Sequence, residues 1–142
     1  MDGAWTVDGL AEALGAAARD EVGVEVQRPA GAEPVLVATM KAHGDLPIFL
    51  PVAGEQIVVS ALLWPVAEQE NQAEFNRFLL KAQKAVPLSN FAITEVEGVE
   101  YYELIGELAT DSSVEAILLE LRVLAQNAMD AAGELRGAFV EA

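Results

Sequence analysis

Between Glu21 and Pro65 apolar and polar residues tend to alternate with a period of two, and no break in that stretch is long enough to hold a crossover connection. This feature decides most of the fold. Val22, Val24 and Val26 alternate with small or polar residues. Val35 to Met40 follows the Pro29-Ala30-Gly31 turn, Leu46 to Val52 follows His43-Gly44-Asp45, and Ile57 to Trp64 follows Ala53-Gly54-Glu55. Parallel neighbours need connections of about a dozen residues or more, so these four runs are expected to pair antiparallel. Pro47 and Pro51 lack backbone donors, which predicts that the third run is an edge strand or a bulged one.

Helical signals flank this block. Thr6 is placed to cap a helix, Asp8 sits in its positively polarised first turn, and Trp5 is spaced to staple onto Leu10. That helix is expected to run to about Arg19. Its stripe of Val7, Leu10, Leu14 and Ala17 buries one face only, and Gly9 and Gly15 weaken it, so docking must hold it. Asn71-Gln72-Ala73-Glu74 has the spacing of a reciprocal cap and predicts a second helix with Phe75, Phe78, Leu79, Ala82 and Val86 on one face, ended by Pro87. Phe91 to Val96 and Val99 to Leu108, joined at Glu97-Gly98, form the clearest hairpin. Phe91 and Ile93 share one side of the first strand. On the second, Tyr102, Leu104 and Leu108 face one way, and Tyr101, Glu103, Ile105 and Glu107 the other. Ser112-Ser113-Val114-Glu115 opens the longest helix, with a stripe of Val114, Ile117, Leu118, Leu121, Leu124, Ala128, Ala132, Leu135 and Phe139. Gly133 and Gly137 weaken its last turns.

The order is helix, four strands, helix, two strands, helix. Because the strands run together, the class is α+β: an antiparallel sheet with helices packed on it, as one domain over residues 1–142. A chain of this length buries about two-thirds of its unfolded surface, so it needs no metal or disulfide to hold it.

Reactive chemistry is scarce. There is no cysteine and one histidine, which removes disulfide and thiolate chemistry and effectively excludes a structural zinc site. His43 is the only general base available near neutral pH, and a triad would need Ser60, Ser89 or Ser112 brought to it. Nothing in the spacing promises that, and His43 reads as a turn-tip residue. Glu95, Glu97, Glu100, Glu103 and Glu107 crowd the hairpin without the glycine-centred ligand spacing of a calcium loop, and read as a solvated acidic face. No catalytic residue, cofactor or metal is therefore expected. Met1 to Gly9 lacks the basic flank of a signal peptide, and the uncharged runs fall short of the roughly 18 residues of a membrane helix. A soluble, cytoplasmic chain without membrane insertion is expected.

Eight basic residues against 23 acidic ones give a net charge of −15, which repels nucleic acid and anionic lipid and attracts basic partners. The acidity serves solubility, salt tolerance in a halophilic host, or a specific partner; composition leaves all three open. Arg77, Lys81 and Lys84 fall at i, i+4 and i+7 and form one stripe on the second helix, away from its aromatic side. That stripe is either a wetted face, with Glu74 pairing locally to Arg77, or a docking stripe for an acidic partner or for the protein's own second copy. The chain is 53% hydrophobic, with a positive mean hydropathy. So large an apolar share beside so many charges predicts a homodimer whose seam absorbs the surplus.

The run Glu74-Phe75-Asn76-Arg77-Phe78-Leu79-Leu80-Lys81-Ala82-Gln83-Lys84, then Pro87-Leu88-Ser89, Glu100-Tyr101-Tyr102, Ser112 to Glu120 and Asn127-Ala128-Met129-Asp130, resembles the YjfI-like family of bacterial proteins of unknown function. The likeness spans roughly Val35 to Ala132 and is strongest from Glu74 onward. It implies no catalytic residues. It does imply a context, because relatives are often encoded beside a PspA-like membrane-stress protein. The element order is also similar to the type III secretion chaperone-like fold of acidic dimers that bind client segments, with one more strand before the second helix. The resulting expectation is a non-enzymatic, dimeric, chaperone-like protein that binds a partner, such as a PspA-like client, through a sheet face or a groove beside a helix. It would shield an apolar amphipathic helix, with acidic surroundings attracting basic residues. The runner-up is a small-molecule sensor or undetected enzyme with a pocket between sheet and helices, and a third reading is a structural subunit of a larger assembly.

Overall fold

All five strand pairings in the computed structural model are antiparallel, as the short connections require. The structure describes residues 5–18, 24–27, 35–53, 56–86 and 88–135. Helix α1 (Val7–Ala18) precedes β1 (Val24–Gln27), β2 (Val35–Met40), β3 (Leu46–Ala53) and β4 (Gln56–Pro65). Helix α2 (Gln72–Ala82), the hairpin β5 (Asn90–Val96) and β6 (Val99–Ala109), and helix α3 (Val114–Asp130) follow. The six strands lie in the order β1-β2-β3-β4-β6-β5, so the hairpin packs through β6 and leaves β5 at an edge. Arg19, Val22, Pro87 and Phe139 lie outside the described residues.

β3 departs from both alternatives expected for it, since it sits inside the sheet rather than at its edge and keeps a constant register with β2 and β4 instead of bulging. Pro47 and Pro51 stand opposite Thr39 and Val35 of β2. Towards β4 the ladder is gapped, with Phe49, Val52 and Ala53 opposite Ser60, Ile57 and Gln56. An interior strand tolerates missing donors where one of its two ladders is incomplete.

The helix ends show which local signals prevailed. Thr6 Oγ1 accepts from Gly9 N at 3.0 Å, as an N-cap should. Asn71, by contrast, provides no side-chain cap: it is left-handed, at φ 54° and ψ 50°, whereas a capping residue needs extended backbone. Its carbonyl still accepts from Phe75 N at 2.9 Å. The α-helix ends at Ala82 in a 3-10 turn, Gln83–Ala85, before the proline is reached. Ser113 caps α3, its side chain accepting from Ala116 N at 3.1 Å. After Asp130 the chain winds a π-turn, Ala131–Leu135. Ala131 is buried and Ala132 exposed, the reverse of the expected placement.

All three helices cover the same face of the sheet. Leu10 and Leu14 of α1 and Ile117, Leu121 and Leu124 of α3 bury against Leu36, Ile48, Leu50, Ile57, Val59 and Leu104. A second cluster joins α2 to the sheet through Phe75, Leu79, Trp64, Val66 and Tyr102. Phe75 meets Tyr102 edge to face, with ring centroids 5.2 Å apart. Each such large apolar side chain contributes roughly 1.5–3 kcal/mol when fully buried. Among the described residues no helix lies on the opposite face, and that asymmetry positions both candidate surfaces.

Candidate functional site

The uncovered face of the sheet carries apolar side chains where a solvated antiparallel face usually carries polar ones. Register fixes one row across it: Val37 opposite Phe49, Phe49 opposite Ser60, and Ser60 opposite Ile105. Val35 with Pro51 extends the apolar ground, as do Val58 and Leu62 opposite Glu107 and Glu103. The apolar members are half-buried by one another. Ser60 Oγ donates to the Glu103 carboxylate and is itself buried. Glu107 stands exposed on the same side, so the apolar ground is framed by carboxylates.

A second surface lies where α2 meets the β5 edge. Here a groove of about 200 Å³ is lined by Asn76, Leu79, Leu80, Phe91, Ile93 and Tyr102. Leu80 is 65% exposed and Ile93 44%. Tyr102 donates its hydroxyl to Asn76 Oδ1 at 2.6 Å, fixing the floor of the groove to the helix. Burial, and then the charge of Glu100, raises the Tyr102 phenol above its ordinary pKa, so it stays a donor. Phe91 N donates to Gln83 Oε1 at 3.1 Å, which closes the start of the β5 edge with a side chain.

Arg77 and Lys81 are exposed on the outer side of α2, beside Leu80 and away from Phe75, and Lys84 is exposed in the 3-10 turn that follows it. The expected local pair between Glu74 and Arg77 is not formed. Lys41, by contrast, lies 3.3 Å from Glu25 and 3.7 Å from Asp45, whereas among the described residues none of these three cations makes an ion pair. The hairpin acids separate by position. Glu95 and Glu100 stand directly opposite each other near the tip, on the groove side, while Glu103 and Glu107 belong to the uncovered sheet face.

The residues considered for catalysis are not brought together into such a site. His43 ends a 3-10 turn before left-handed Gly44 and Asp45, with Nδ1 buried and unpartnered. Ser60 is bound to Glu103, and Ser89 accepts from Asn127 at 3.1 Å. The Ser112 carbonyl accepts from Trp5 Nε1 at 2.7 Å. Thus Trp5 ties the start of α1 to the β6–α3 turn. Among the described residues no group of three or more His, Asp or Glu side chains is placed to hold a metal ion. Nor is any helix there long and apolar enough to cross a membrane.

Glu120 escaped the sequence reading. It is only 5% exposed on α3, and one carboxylate oxygen is buried without a hydrogen-bond partner. Its spacing of three residues from Ile117 and four from Leu124 is the signal that places it against the apolar stripe.

The family model for an uncharacterized protein conserved in bacteria, DUF2170, matches residues 4–138. The uncharacterized protein YjfI of Escherichia coli (strain K12) is 37% identical over 128 residues, covering 90% of this chain and 92% of that one. Among solved structures, an uncharacterized protein from Methanothermobacter thermautotrophicus aligns with a TM-score of 0.65 at 13% identity, over 92% of this chain and 99% of that chain. E. coli YbjN aligns at 0.62 and 11% identity, over 89% and 91%. The ExsC–ExsE complex aligns at 0.52 and 17% identity, over 93% and 95%. At such identities these likenesses show the fold alone, a six-stranded antiparallel sheet with helices packed on it.

Proposed function

The chain belongs to the DUF2170 family, and from that premise we propose that it is a non-enzymatic, homodimeric, cytoplasmic protein that binds a client protein in the manner of a chaperone. The observation that carries this reading is the uncovered sheet face, where half-buried Val37, Phe49, Val58, Leu62 and Ile105 have no helix over them among the described residues and are framed by Glu103 and Glu107. An amphipathic helix with basic flanks fits such a surface. Its apolar stripe displaces water from the strands, and its Lys or Arg side chains meet the carboxylates. The ExsC–ExsE structure, a similar fold found in a complex of two proteins, supports a protein-binding role by analogy.

The client proposed is a PspA-like membrane-stress protein, as the resemblance to the YjfI-like family implies. Titration of a PspA-like protein from the same genome into the chain, followed calorimetrically at moderate salt, tests it. Micromolar binding that is lost in Phe49→Glu and in Val58→Lys supports the reading. No binding, or binding indifferent to both changes, overturns it.

A further inference from the structure

We propose that the basic stripe and groove of α2 receive the acidic hairpin tip of a second copy of this chain, reciprocally about a two-fold axis, so that the β5 edge is the dimer seam. The proposal deepens the homodimer reading above and is independent of the client surface, which lies on the other face of the sheet.

Two charge clusters in this molecule have no ion-pair partner among the described residues. Arg77, Lys81 and Lys84 are three of the eight basic residues in a chain of net charge −15, and they form no ion pair among the described residues. At the hairpin tip, Glu95 and Glu100 are cross-strand partners, and like charges directly opposite are destabilising. Neither has a cation beside it among the described residues. Each cluster also carries apolar surface. Leu80 and Ile93 stand 65% and 44% exposed at the groove, and Val96 and Val99 stand 40% and 44% exposed at the tip. Glu97 at φ 51° and Gly98 at φ 82° make the tight turn of the tip, with the Glu95 and Glu100 pair on one side of the hairpin and the Val96 and Val99 pair on the other. The tip therefore presents a pair of carboxylates on the groove side of the hairpin, and the groove is an apolar slot with a basic rim.

The tip cannot fill the groove of its own chain, because β5 itself is the groove wall. A two-fold arrangement removes that obstacle. Among the described residues β5 has no strand on its outer side, and Gln83 covers only its start, at Phe91. Antiparallel alignment of two β5 edges lays the end of each strand beside the start of the other. The partner's carboxylates then come alongside the end of α2, where Lys81 and Lys84 lie. One interface of this kind uses both clusters twice, which is the self-complementarity a two-fold contact demands. An acidic foreign segment would satisfy the cations but leave the tip carboxylates opposed.

A charge-swap exchange tests it. One variant carries Arg77→Glu, Lys81→Glu and Lys84→Glu, and the other Glu95→Lys and Glu100→Lys; all five positions are exposed. Light scattering is expected to give twice the 15.1 kDa chain mass for the wild type and the single mass for each variant. Mixing the two variants restores the dimer, because both tip-to-groove contacts are then between opposite charges. The wild-type dissociation constant is expected to rise about tenfold between 0.05 and 0.5 M salt, and about a hundredfold on reversing either cluster. Should either reversal unfold the chain, alanine at the same positions gives the same reading with smaller shifts. A monomeric wild type overturns the homodimer itself and leaves client binding standing. Dimeric variants, or a mixture that stays monomeric, overturn the seam alone.

Discussion

Glu120 of α3 lies over the bare backbone of Gly106 in β6, its carboxylate occupying the space a side chain at position 106 would take. The same added carbon would stand 3.0 Å from the Leu88 carbonyl oxygen. Close approach, rather than backbone angle, requires this glycine. Gly106→Ala is therefore expected to destabilise the fold by about 1–3 kcal/mol, the range for overpacking, read as a lower urea midpoint. An unchanged midpoint would show that the helix can step aside.

The burial of Glu120, and secondarily the charge of Glu107, raises its carboxyl above the ordinary value of 4.5. The folded state thus holds this proton more tightly than the unfolded chain does. Its contribution to stability is complete below the unfolded pKa and is lost as pH rises through the folded one. Glu120→Gln is expected to be more stable than the wild type at pH 8, with an advantage that shrinks towards pH 5. Denaturation midpoints of both proteins at the two pH values check the sign, and a constant difference would contradict it.

The aromatic cluster under α2 separates packing from hydrogen bonding. Phe75 is fully buried against Trp64 and Tyr102, so Phe75→Ala should cost about 3–5 kcal/mol through the cavity it leaves. Tyr102→Phe keeps the ring and deletes the 2.6 Å bond to Asn76, for which about 1 kcal/mol is expected. A double-mutant cycle with Asn76→Ala should return most of that second figure as coupling. Near-zero coupling would mean that Asn76 finds another donor.

What was legible in the sequence followed the reach of the signal. Glu97-Gly98 announced its turn because both residues must take positive φ, and they do, at 51° and 82°. The alternation of Tyr102 and Leu104 against Glu103 and Ile105 was readable for the same local reason. β3 was misplaced because proline reports a missing donor and not which neighbour goes without it. Asn71 was misread because a capping spacing does not reveal the left-handed entry imposed by the preceding turn. The groove was out of reach altogether. Leu80 and Ile93 line it together only because the hairpin joins the sheet with β6 beside β4, which leaves β5 at the edge next to α2, an order that no local pattern encodes. The three cations of the stripe could be placed on an exposed face, but the slot beside them could not be seen.

The start of α3 offers a sharper local test, since two adjacent serines compete for one role. The Ser112/Glu115 spacing suggests a reciprocal cap, yet the side chain that accepts from Ala116 N is that of Ser113, whose backbone is extended at φ −70° and ψ 158°. Ser112 acts through its backbone instead, accepting from Trp5 Nε1 at 2.7 Å and donating its own N–H to the Ala109 carbonyl at 3.0 Å. Ser113→Ala should therefore cost about 1 kcal/mol, the usual worth of a lost N-cap. Ser112→Ala should stay within about 0.5 kcal/mol, because alanine keeps both backbone bonds. Thermal melts of the two variants side by side decide the matter, and a larger loss at Ser112 would move the cap back by one residue.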